Sequence, residues 1–499
     1  MNKLIEHALQ LQQNQQVNES IAIFEKVLAQ QPQQADALHG LGLAYAQKNN
    51  LSKAITYLSQ AVQSAPQVSG FHNNLGNAYK KSGKLDLAKV HFQQALKLKT
   101  PYSEAHNNLG SVFYLQGKID DAIKQFQKAL RINPSLWNAH YNLGNCYIKH
   151  DRFIDACPHY EETLKYRPDH IGALNNLGIS YCLLKNFEQA KTLLSQVVQR
   201  EPSNIDALFH LGITQASLGE LESAKKCYLQ ILSIHSEHDQ AHHNLATLYL
   251  HLNDKSSALQ HYQKAYAINP LNQTAQHMSQ ALQGKTLKEG APYEYTRALF
   301  DQYAYSYDQH VSEKLQYQVP KLLRAMLTTV VQQKNTPWNV LDLGCGTGLC
   351  APYFIDVADK LYGVDLSPKM VDVAAQKEAY YKLAVSDIID YLSKTNVIFD
   401  LIIAADVFVY FGDVKPVFEL IHKNLKTHGY FTFSVEKLID STENYLITET
   451  GRYRHTDDYI KSLCETLGFE LISEQEQTIR HQEERPITGL LYLVQKNNS

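Results

Sequence analysis

The sequence predicts two folds in one chain: an all-α array of helical repeats, followed by an α/β domain built on a doubly wound parallel sheet. Leucine recurs every 34 residues through the first half, and in the second half a glycine-rich segment, residues 340–348, begins in an apolar run. Four apolar runs in that second half lead to an acidic residue. A 34-residue period is typical of stacked helix pairs, and polar residues at successive strand ends are typical of a ligand crevice at one edge of a parallel sheet.

Length, charge and cysteine content narrow the class of protein. The 499 residues exceed one ordinary core, and the net charge of -3 gives no basic footprint for nucleic acid. The seven cysteines contain no C-x-x-C pair, which is typical of a reducing compartment. The N-terminus lacks the apolar core of a signal peptide, and no apolar run approaches the ~20 residues of a membrane span. We therefore expect a cytoplasmic protein with neither a nucleic-acid nor a membrane partner.

The repeat signature consists of a leucine followed 13 residues later by an alanine, with prolines recurring in phase. Small residues where two helices cross, and proline after the second helix, make this pattern resemble tetratricopeptide (TPR) repeats. The resemblance implies eight repeats, from 1–34 to 239–272, and a closing helix over 274–283. The predicted all-α tetratricopeptide superhelix therefore covers 1–283, and the glycine- and proline-containing 284–292 is a connector. The signature leucines are Leu41, Leu75, Leu109, Leu143, Leu177, Leu211 and Leu245.

Asparagine precedes the signature leucine in five repeats, and we expect these amides to form a ladder along the concave surface. An amide offers a donor and an acceptor together, which suits the backbone of an extended peptide. The ladder resembles the asparagine rows of O-linked N-acetylglucosamine transferase, which implies a protein or peptide partner. The alternative is that each asparagine packs locally between adjacent repeats. The ladder consists of Asn74, Asn108, Asn142, Asn176 and Asn244.

A histidine-rich segment at 235–243 raises the question of a metal site. His242 occupies the same repeat position as His72, His106 and His140. A residue that recurs at the repeat period is most simply a packing residue, so we expect no metal.

The segment 340–348 predicts a strand, a tight loop and a helix over 349–357. Gly344, Gly346 and Gly348 follow the spacing G-x-G-x-G rather than the dinucleotide spacing G-x-G-x-x-G, and Asp342 stands two residues before the first glycine. A carboxylate there would repel a pyrophosphate and attract an ammonium group. The segment therefore favours S-adenosyl-L-methionine (SAM) over NAD.

The motifs DLGCGTG, GVDLSPKM and AADVFVY, in this order, resemble class I SAM-dependent methyltransferases that carry an N-terminal TPR array. The resemblance implies a Rossmann-like methyltransferase domain over 293–499 with SAM as cofactor. Asp342 is assigned to the methionyl ammonium group and the amides of 344–348 to the methionine moiety. Asp365 is assigned to the ribose hydroxyls, and Asp406 borders the transferring methyl group. The predicted cofactor-binding set is Asp342, Gly344, Gly346, Gly348, Asp365, Leu366, Met370, Ser386, Asp387, Ile388 and Asp406.

Residues 293–331 are helical in pattern and rich in tyrosine, and the resemblance implies a lid over the crevice. Tyr303, Tyr307 and Tyr317 are candidates to close the site, and an aromatic stripe between two helices is the alternative. The strand-four motif AADVFVY lacks the N/D-P-P-Y sequence of nucleobase methyltransferases, which argues against DNA methylation. Predicted acceptor contacts are Glu436, Arg452 and Tyr453, and predicted catalytic residues are Tyr410 and His455.

Two functions from different classes remain open. In the first, an active methyltransferase uses the array to recruit a protein or carrier-bound substrate. In the second, the array is a peptide-binding scaffold, and the SAM-binding domain is a sensor or acts on an independent small molecule.

Overall fold

Amphipathic periodicity shapes the first part of the chain into antiparallel helix pairs. A computed structural model describes residues 2–284, 290–304, 307–308, 311, 316–332, 337–439, 441–482 and 485–497, without the side chains of Ala298, Gln302, Tyr303, Gln482 and Arg485. Within 2–284 the helices are Asn2–Gln13 (α1), Val17–Gln30 (α2), Ala35–Gln47 (α3), Leu51–Ser64 (α4), Ser69–Lys81 (α5), Leu85–Leu98 (α6), Ser103–Leu115 (α7), Ile119–Ile132 (α8), Trp137–Ile148 (α9), Phe153–Tyr166 (α10), Ile171–Leu183 (α11), Phe187–Arg200 (α12), Ile205–Ser217 (α13), Leu221–Ile234 (α14), Asp239–His251 (α15), Lys255–Ile268 (α16) and Gln273–Leu282 (α17).

The signature residues form the core of each helix pair. The glycine of the first helix faces a large side chain on the second, as Gly110 faces Phe126, and a Cβ added at Gly110 would lie 2.7 Å from the Phe126 ring. The signature alanine, Ala122 in this repeat, is fully buried. Close helix contact therefore depends on the small residues at these positions.

The α/β part follows from apolar strands that alternate with helices. Its described helices are Tyr293–Tyr303 (α18), Val319–Met326 (α19), Thr328–Gln332 (α20), Ala351–Phe354 (α21), Pro368–Gln376 (α22), Ile388–Lys394 (α23), Lys415–Asn424 (α24) and Asp457–Thr466 (α25). Its described strands are Trp338–Leu343 (β1), Ala358–Asp365 (β2), Lys382–Val385 (β3), Phe399–Ala404 (β4), Leu425–Glu436 (β5), Tyr445–Ile447 (β6), Tyr453–His455 (β7), Phe469–Gln482 (β8) and Arg485–Lys496 (β9).

The described strands form a large sheet of order β3-β2-β1-β4-β5-β9-β8, and β6 and β7 form a separate hairpin. β1 to β5 pair in parallel, whereas β9 pairs antiparallel with β5 and β8. The strand order reverses between β1 and β4, and ligands bind outside the carboxyl ends of the strands at such a point. This confirms the predicted fold class, a helical repeat array followed by a doubly wound, Rossmann-like domain.

The chain forms two compact units, and the predicted domain division at 283/284 stays a prediction. The chain divides into Met1–Ile234 and His235–Ser499, so the helices α15 to α17 belong to the same unit as the large sheet. Within the described residues, no helix is both long and apolar enough to cross a bilayer.

The helix predicted over 349–357 is wrong in length. Only Ala351–Phe354 is helical, and Pro352 stands in its first turn, where it cannot donate a backbone hydrogen bond. A helix of four residues has only a small dipole to offer a polar ligand group. The glycine loop before it lies at the crevice instead.

We predict that Gly110→Ala destabilises the array, because its new methyl group would overlap the Phe126 ring. Overpacking of this kind costs about 1–3 kcal/mol. Hydrogen exchange should show faster local opening of α7 and α8. The control is Gly70→Ala, since a Cβ at Gly70 meets no heavy atom within 4 Å and alanine favours a helix. Equal effects of the two substitutions would contradict this packing.

Candidate active site

A cavity of about 620 Å³ opens at the carboxyl edge of the large sheet. The strand order divides its wall into two halves. The half that follows β1, β2 and β3, termed here the cofactor half, contains Gly344, Gly346, Asp365, Leu366, Asp387 and Ile388. The other half follows β4 and includes the residue before β7 and part of β8. It is termed the acceptor half and contains Asp406, Tyr410, Arg452 and Arg480.

The glycine loop needs its glycines for conformation and for space. Gly344 and Gly346 have φ values of +65° and +52°, in the left-handed region. A Cβ at Gly344 would lie 2.8 Å from Val407, whereas a Cβ at Gly346 would meet no heavy atom within 4 Å. Gly346 therefore leaves an open face toward the cavity.

The predicted role of the loop amides needs correction. Three of these N–H groups already donate within the protein: Cys345 to Val364 O at 3.0 Å, Gly346 to Asp365 Oδ2 at 2.9 Å and Gly348 to Cys345 O at 2.8 Å. The first two hold the loop against β2 and the third closes a turn within the loop, so these three N–H groups are not free to bind a methionine moiety. Gly348 packs against Tyr380 and does not line the cavity.

The Asp365 carboxylate lies at the end of β2 and faces the cavity. Oδ1 accepts from Ser367 N and Oδ2 from Gly346 N, both at 2.9 Å. Burial raises the pKa of Asp365, and these backbone donors oppose the shift. Each carboxylate oxygen has a second lone pair, so a diol could donate to an acceptor that the backbone already orients.

Asp342 lies behind the glycine loop rather than in the cavity wall. Its carboxylate is fully buried, and Oδ2 accepts from the Tyr380 hydroxyl at 2.7 Å. Oδ1 has no hydrogen-bond partner among the described residues. Burial raises the pKa of Asp342 to about 7, and the Tyr380 hydroxyl and the Cys350 thiol oppose this shift. A nearby cation would favour the ionised form.

Two arginines and two carboxylates form a buried group in the acceptor half, termed here the charge quartet. Arg452 binds Asp406 at 2.7 Å and Glu436 at 3.0 Å. Arg480 binds Asp406 at 2.9 Å and also contacts Glu436. Burial alone would raise the pKa of Asp406, but the Arg452 and Arg480 guanidinium groups outweigh it and lower the pKa. The charges of the four groups sum to zero, and Arg454 adds a further ion pair to Glu436 at 3.5 Å. The quartet keeps guanidinium N–H groups at the cavity wall.

Arg480 belongs to this site, although the sequence did not predict it. The pairing of β8 with β9 shifts register between Thr478 and Arg480, and Ile479 and Arg480 are buried in succession. A bulge of this kind redirects a side chain. Strand alternation alone would not have placed Arg480 on the inner face.

Asp406 adopts a left-handed conformation with φ of +60°, and its N–H donates to Ser434 Oγ at 2.9 Å. Aspartate tolerates this region better than most residues. The conformation turns the chain at the end of β4, and both carboxylate oxygens accept from Arg480.

The two predicted catalytic residues differ in position. Tyr410 lines the cavity, and its hydroxyl accepts from Arg452 at 3.3 Å. Burial raises the pKa of Tyr410, so its phenol remains protonated near neutral pH and cannot accept a proton. His455 is fully buried and donates from Nε2 to Gly412 O at 2.9 Å, and burial lowers its pKa to about 4. It does not line the cavity, which gives no support to its predicted catalytic role.

Side chains around the predicted lid connect it to the cofactor half. Asp301 in α18 accepts from the Ser367 hydroxyl, and Asp308 accepts from Thr347 and from Lys377, the latter at 2.7 Å. Tyr317 lines the cavity. The Tyr303 side chain lies outside the described part of the chain.

The structure brings ten of the predicted site residues into the cavity wall. These are Gly344, Gly346, Asp365, Leu366, Asp387, Ile388, Asp406, Tyr317, Tyr410 and Arg452.

Several predicted contacts are not in the wall. Glu436 stands behind the arginines, and Tyr453 packs with Ala281 and Ile447. Met370 is buried in α22, and the Ser386 hydroxyl donates to Asp387 O. The Asp387 carboxylate accepts from Ile389 N and Asp390 N, so it caps α23.

The ladder asparagines join adjacent repeats in the first unit. Asn108 donates to Asn73 Oδ1 at 3.0 Å, and Asn142 donates to Asn107 Oδ1 at 3.1 Å. Asn74 binds His39 Nε2 at 2.8 Å. This is the local packing that the sequence left open, and a peptide-binding role stays a prediction. Asn176 donates likewise to the previous repeat, and Asn244 is half-buried.

The recurring histidines pair across the two helices of a repeat. His140 and His159 are joined by their Nδ1 atoms at 3.0 Å, and His242 and His261 at 2.8 Å, whereas His106 bonds Gln125. The histidine at this repeat position therefore bonds either a histidine or a glutamine on the second helix, and such interchange is typical of a packing contact. Among the described residues, no cluster of metal-ligating side chains is present.

Comparisons with known proteins match both parts of the chain. A family profile described as a methyltransferase domain matches 311–474, and tetratricopeptide-repeat profiles match segments from 5–69 to 239–272. A malonyl-[acyl-carrier protein] O-methyltransferase of Acetivibrio thermocellus is 24% identical over 204 residues, which is 36% of this chain and 71% of that protein.

Two further likenesses each concern one part of the chain. The 18S rRNA (guanine-N(7))-methyltransferase of Bos taurus is 34% identical over 67 residues, 13% of this chain and 24% of that protein. A solved structure of Pseudomonas aeruginosa pilF has 19% identity and a TM-score of 0.38, and it covers 40% of this chain and 92% of its own.

Fold and site therefore define a helical-repeat protein that ends in an α/β ligand-binding domain. The chain is a tetratricopeptide-repeat protein with a C-terminal methyltransferase domain.

We predict that SAM affinity rises with pH between about 5.5 and 7.5, because a cationic ligand favours the ionised form of a carboxylate with a pKa near 7. Asp342→Asn should weaken binding and flatten this pH dependence, as measured by calorimetry. An unchanged slope in the variant would contradict the assignment.

The same substitution controls for folding. The folded pKa of Asp342 is raised from 3.8, so its ionisation removes stability as pH rises toward and through about 7. Asp342→Asn should therefore become more stable than the natural chain by about 1–4 kcal/mol near neutral pH, with little difference near pH 4. Loss of stability at neutral pH would contradict this assignment.

Proposed function

We propose that this chain is a SAM-dependent methyltransferase that esterifies a carboxylate. The charge quartet supports the proposal most strongly, because it puts two guanidinium groups beside Tyr410 in the acceptor half. The proposal also explains why the cavity has a cofactor half with an open glycine face and an oriented carboxylate. The relative from Acetivibrio thermocellus bears a name that describes O-methylation of a malonyl group on a carrier protein.

The residues of the cofactor half fit SAM. Asp365 offers acceptors for the ribose hydroxyls, and Ile388 offers an apolar surface for the adenine. Asp342, buried behind the loop, would act on the ammonium group through its charge and through water rather than by direct contact. The open face of Gly346 leaves space where a side chain would intrude. The same set would not suit a pyrophosphate, since two carboxylates would repel it.

The described residues of the acceptor half include no side chain that is free to act as a base. This favours an acceptor atom that is already deprotonated at neutral pH. Among the described residues, Asp406 has a lowered pKa and accepts from two arginines, while Tyr410 stays protonated. When bound, SAM would supply its methyl group to a carboxylate oxygen while the electron pair of the carbon–sulfur bond stays on sulfur, and no proton would need to be removed. Arg452 and Arg480 orient the acceptor through N–H groups that the quartet leaves free.

Positioning is the main contribution of such a site. Orientation of two reactants can lower a barrier by ~7–11 kcal/mol. Tyr307, Tyr317 and Phe300 add apolar surface that excludes water from the cavity.

The array recruits a protein or carrier-bound substrate in this proposal. The hydrogen bonds between repeats use one N–H of Asn108 and of Asn142, which leaves each a second N–H and a carbonyl oxygen for a peptide. The second candidate, a peptide-binding scaffold whose SAM domain is a sensor, rests on this same ladder. It predicts SAM binding without turnover.

Asp365→Ala should weaken S-adenosylhomocysteine binding at least about tenfold by calorimetry, because a hydrogen bond to a charged group contributes ~1.5–3 kcal/mol. The matched control is Asp359→Ala at the opposite, exposed end of β2. Undiminished affinity in the Asp365 variant would show that the cofactor half is misassigned.

A second experiment tests the acceptor class. The full chain is incubated with methyl-labelled SAM in a cell extract, and the labelled products are treated with mild alkali. Methyl esters should release most of the label as volatile methanol. Label that stays bound in base would contradict carboxylate esterification. Label found in nucleic acid would also contradict it, since a purine ring nitrogen is a rival acceptor that can be methylated without a general base.

A further inference from the structure

The closing helix of the array, α17, packs on the hairpin that carries Arg452. His277 in α17 is fully buried, and its Nε2 donates to Gly451 O at 3.0 Å. Ala281 of the same helix is buried with Ile447 and Tyr453. Lys255 in α16 forms an ion pair with Glu449 in the loop of the hairpin. The end of the array therefore supports the β6–β7 hairpin directly.

Gly451 shows how closely the helix approaches. Its φ is +77°, and a Cβ there would lie 2.8 Å from the Tyr295 hydroxyl, 3.1 Å from Met278 Sδ and 3.3 Å from His277 Nε2. The next residue, Arg452, binds Asp406 and Tyr410 in the acceptor half. One uninterrupted line of contacts thus runs from α17 to the charge quartet.

The same helix also contributes to the cavity wall. Gln273 and Gln276 line the cavity, one turn apart, while His277 and Ala281 lie on the face of α17 that meets the hairpin. Neither glutamine side-chain amide makes a hydrogen bond within the described part of the chain. Two unpaired amides at a cavity wall are available for a ligand, and each offers both a donor and an acceptor.

We propose that Gln273 and Gln276 determine acceptor specificity by binding an amide-bearing chain next to the reacting carboxylate. This rests on the proposed function for the identity of the reacting group. The order of the sheet supports it, because the hairpin packed on α17 lies next to β5, away from the cofactor half. An amide of the acceptor chain would exchange paired hydrogen bonds with a glutamine amide, whereas an alkyl chain would leave the glutamine desolvated and unpaired.

The test uses two carboxylate probes of matched length, N-acetylglycylglycine and a straight-chain alkanoate. Calorimetry measures their binding to the full chain saturated with S-adenosylhomocysteine. We expect the amide-bearing probe to bind more tightly by about three- to tenfold, and Gln276→Leu to abolish that preference. Affinity for S-adenosylhomocysteine should not change, which shows that the variant is folded.

The matched control is Gln263→Leu on the exposed face of the neighbouring helix α16, which should keep the preference. Equal binding of the two probes to the natural chain, no binding of either, or a preference that survives in Gln276→Leu would overturn the inference. Probe binding with the expected preference, but without ester formation from SAM, would support the subsite and contradict the proposed carboxylate chemistry.

Discussion

The charge quartet is the interaction on which the acceptor half depends. It joins four segments that are remote in sequence: the turn after β4, the last residue of β5, the residue before β7 and the bulge in β8. Because the four groups are largely buried, loss of one partner would leave an uncompensated charge, which typically costs about 3–5 kcal/mol. The quartet thus fixes the geometry of the cavity wall. It also sets the chemistry of the wall, since Asp406 stays ionised and its oxygens accept hydrogen bonds from the two arginines.

A buried neutral group of this kind suits a site that orients rather than ionises its acceptor. The arginines keep donors at the cavity wall, while their charges are compensated within the protein. An acceptor carboxylate would then meet directional N–H groups, and the cationic sulfur of the cofactor would balance its charge. In the cofactor half, Asp365 keeps lone pairs that the hydroxyl groups of a ligand would engage, and the buried charge of Asp342 behind the loop would favour a cationic ligand.

Much of this arrangement could be predicted from the sequence. The 34-residue period defined the repeats, and the acidic strand ends located Gly344, Asp365 and Asp406 at one edge of the sheet, because parallel strands put their carboxyl ends together. Local pattern could not show that the loop amides are used internally, since Gly346 N bonds a carboxylate 19 residues away. Arg480 was missed because a register shift directs it inward, and His455 was overrated because its sequence neighbours do not reveal its burial.

The division into compact units adds a feature that concerns the last helices of the array. The repeat pattern continues to residue 272, yet α15 to α17 belong to the unit of the large sheet, where α17 supports the Arg452 hairpin. The most direct test of the account is a crystal structure of the full chain with S-adenosylhomocysteine. It should show the ribose hydroxyls on Asp365 and the sulfur facing Tyr410 and the charge quartet. An empty cavity, or a nicotinamide nucleotide retained in it, would contradict the account.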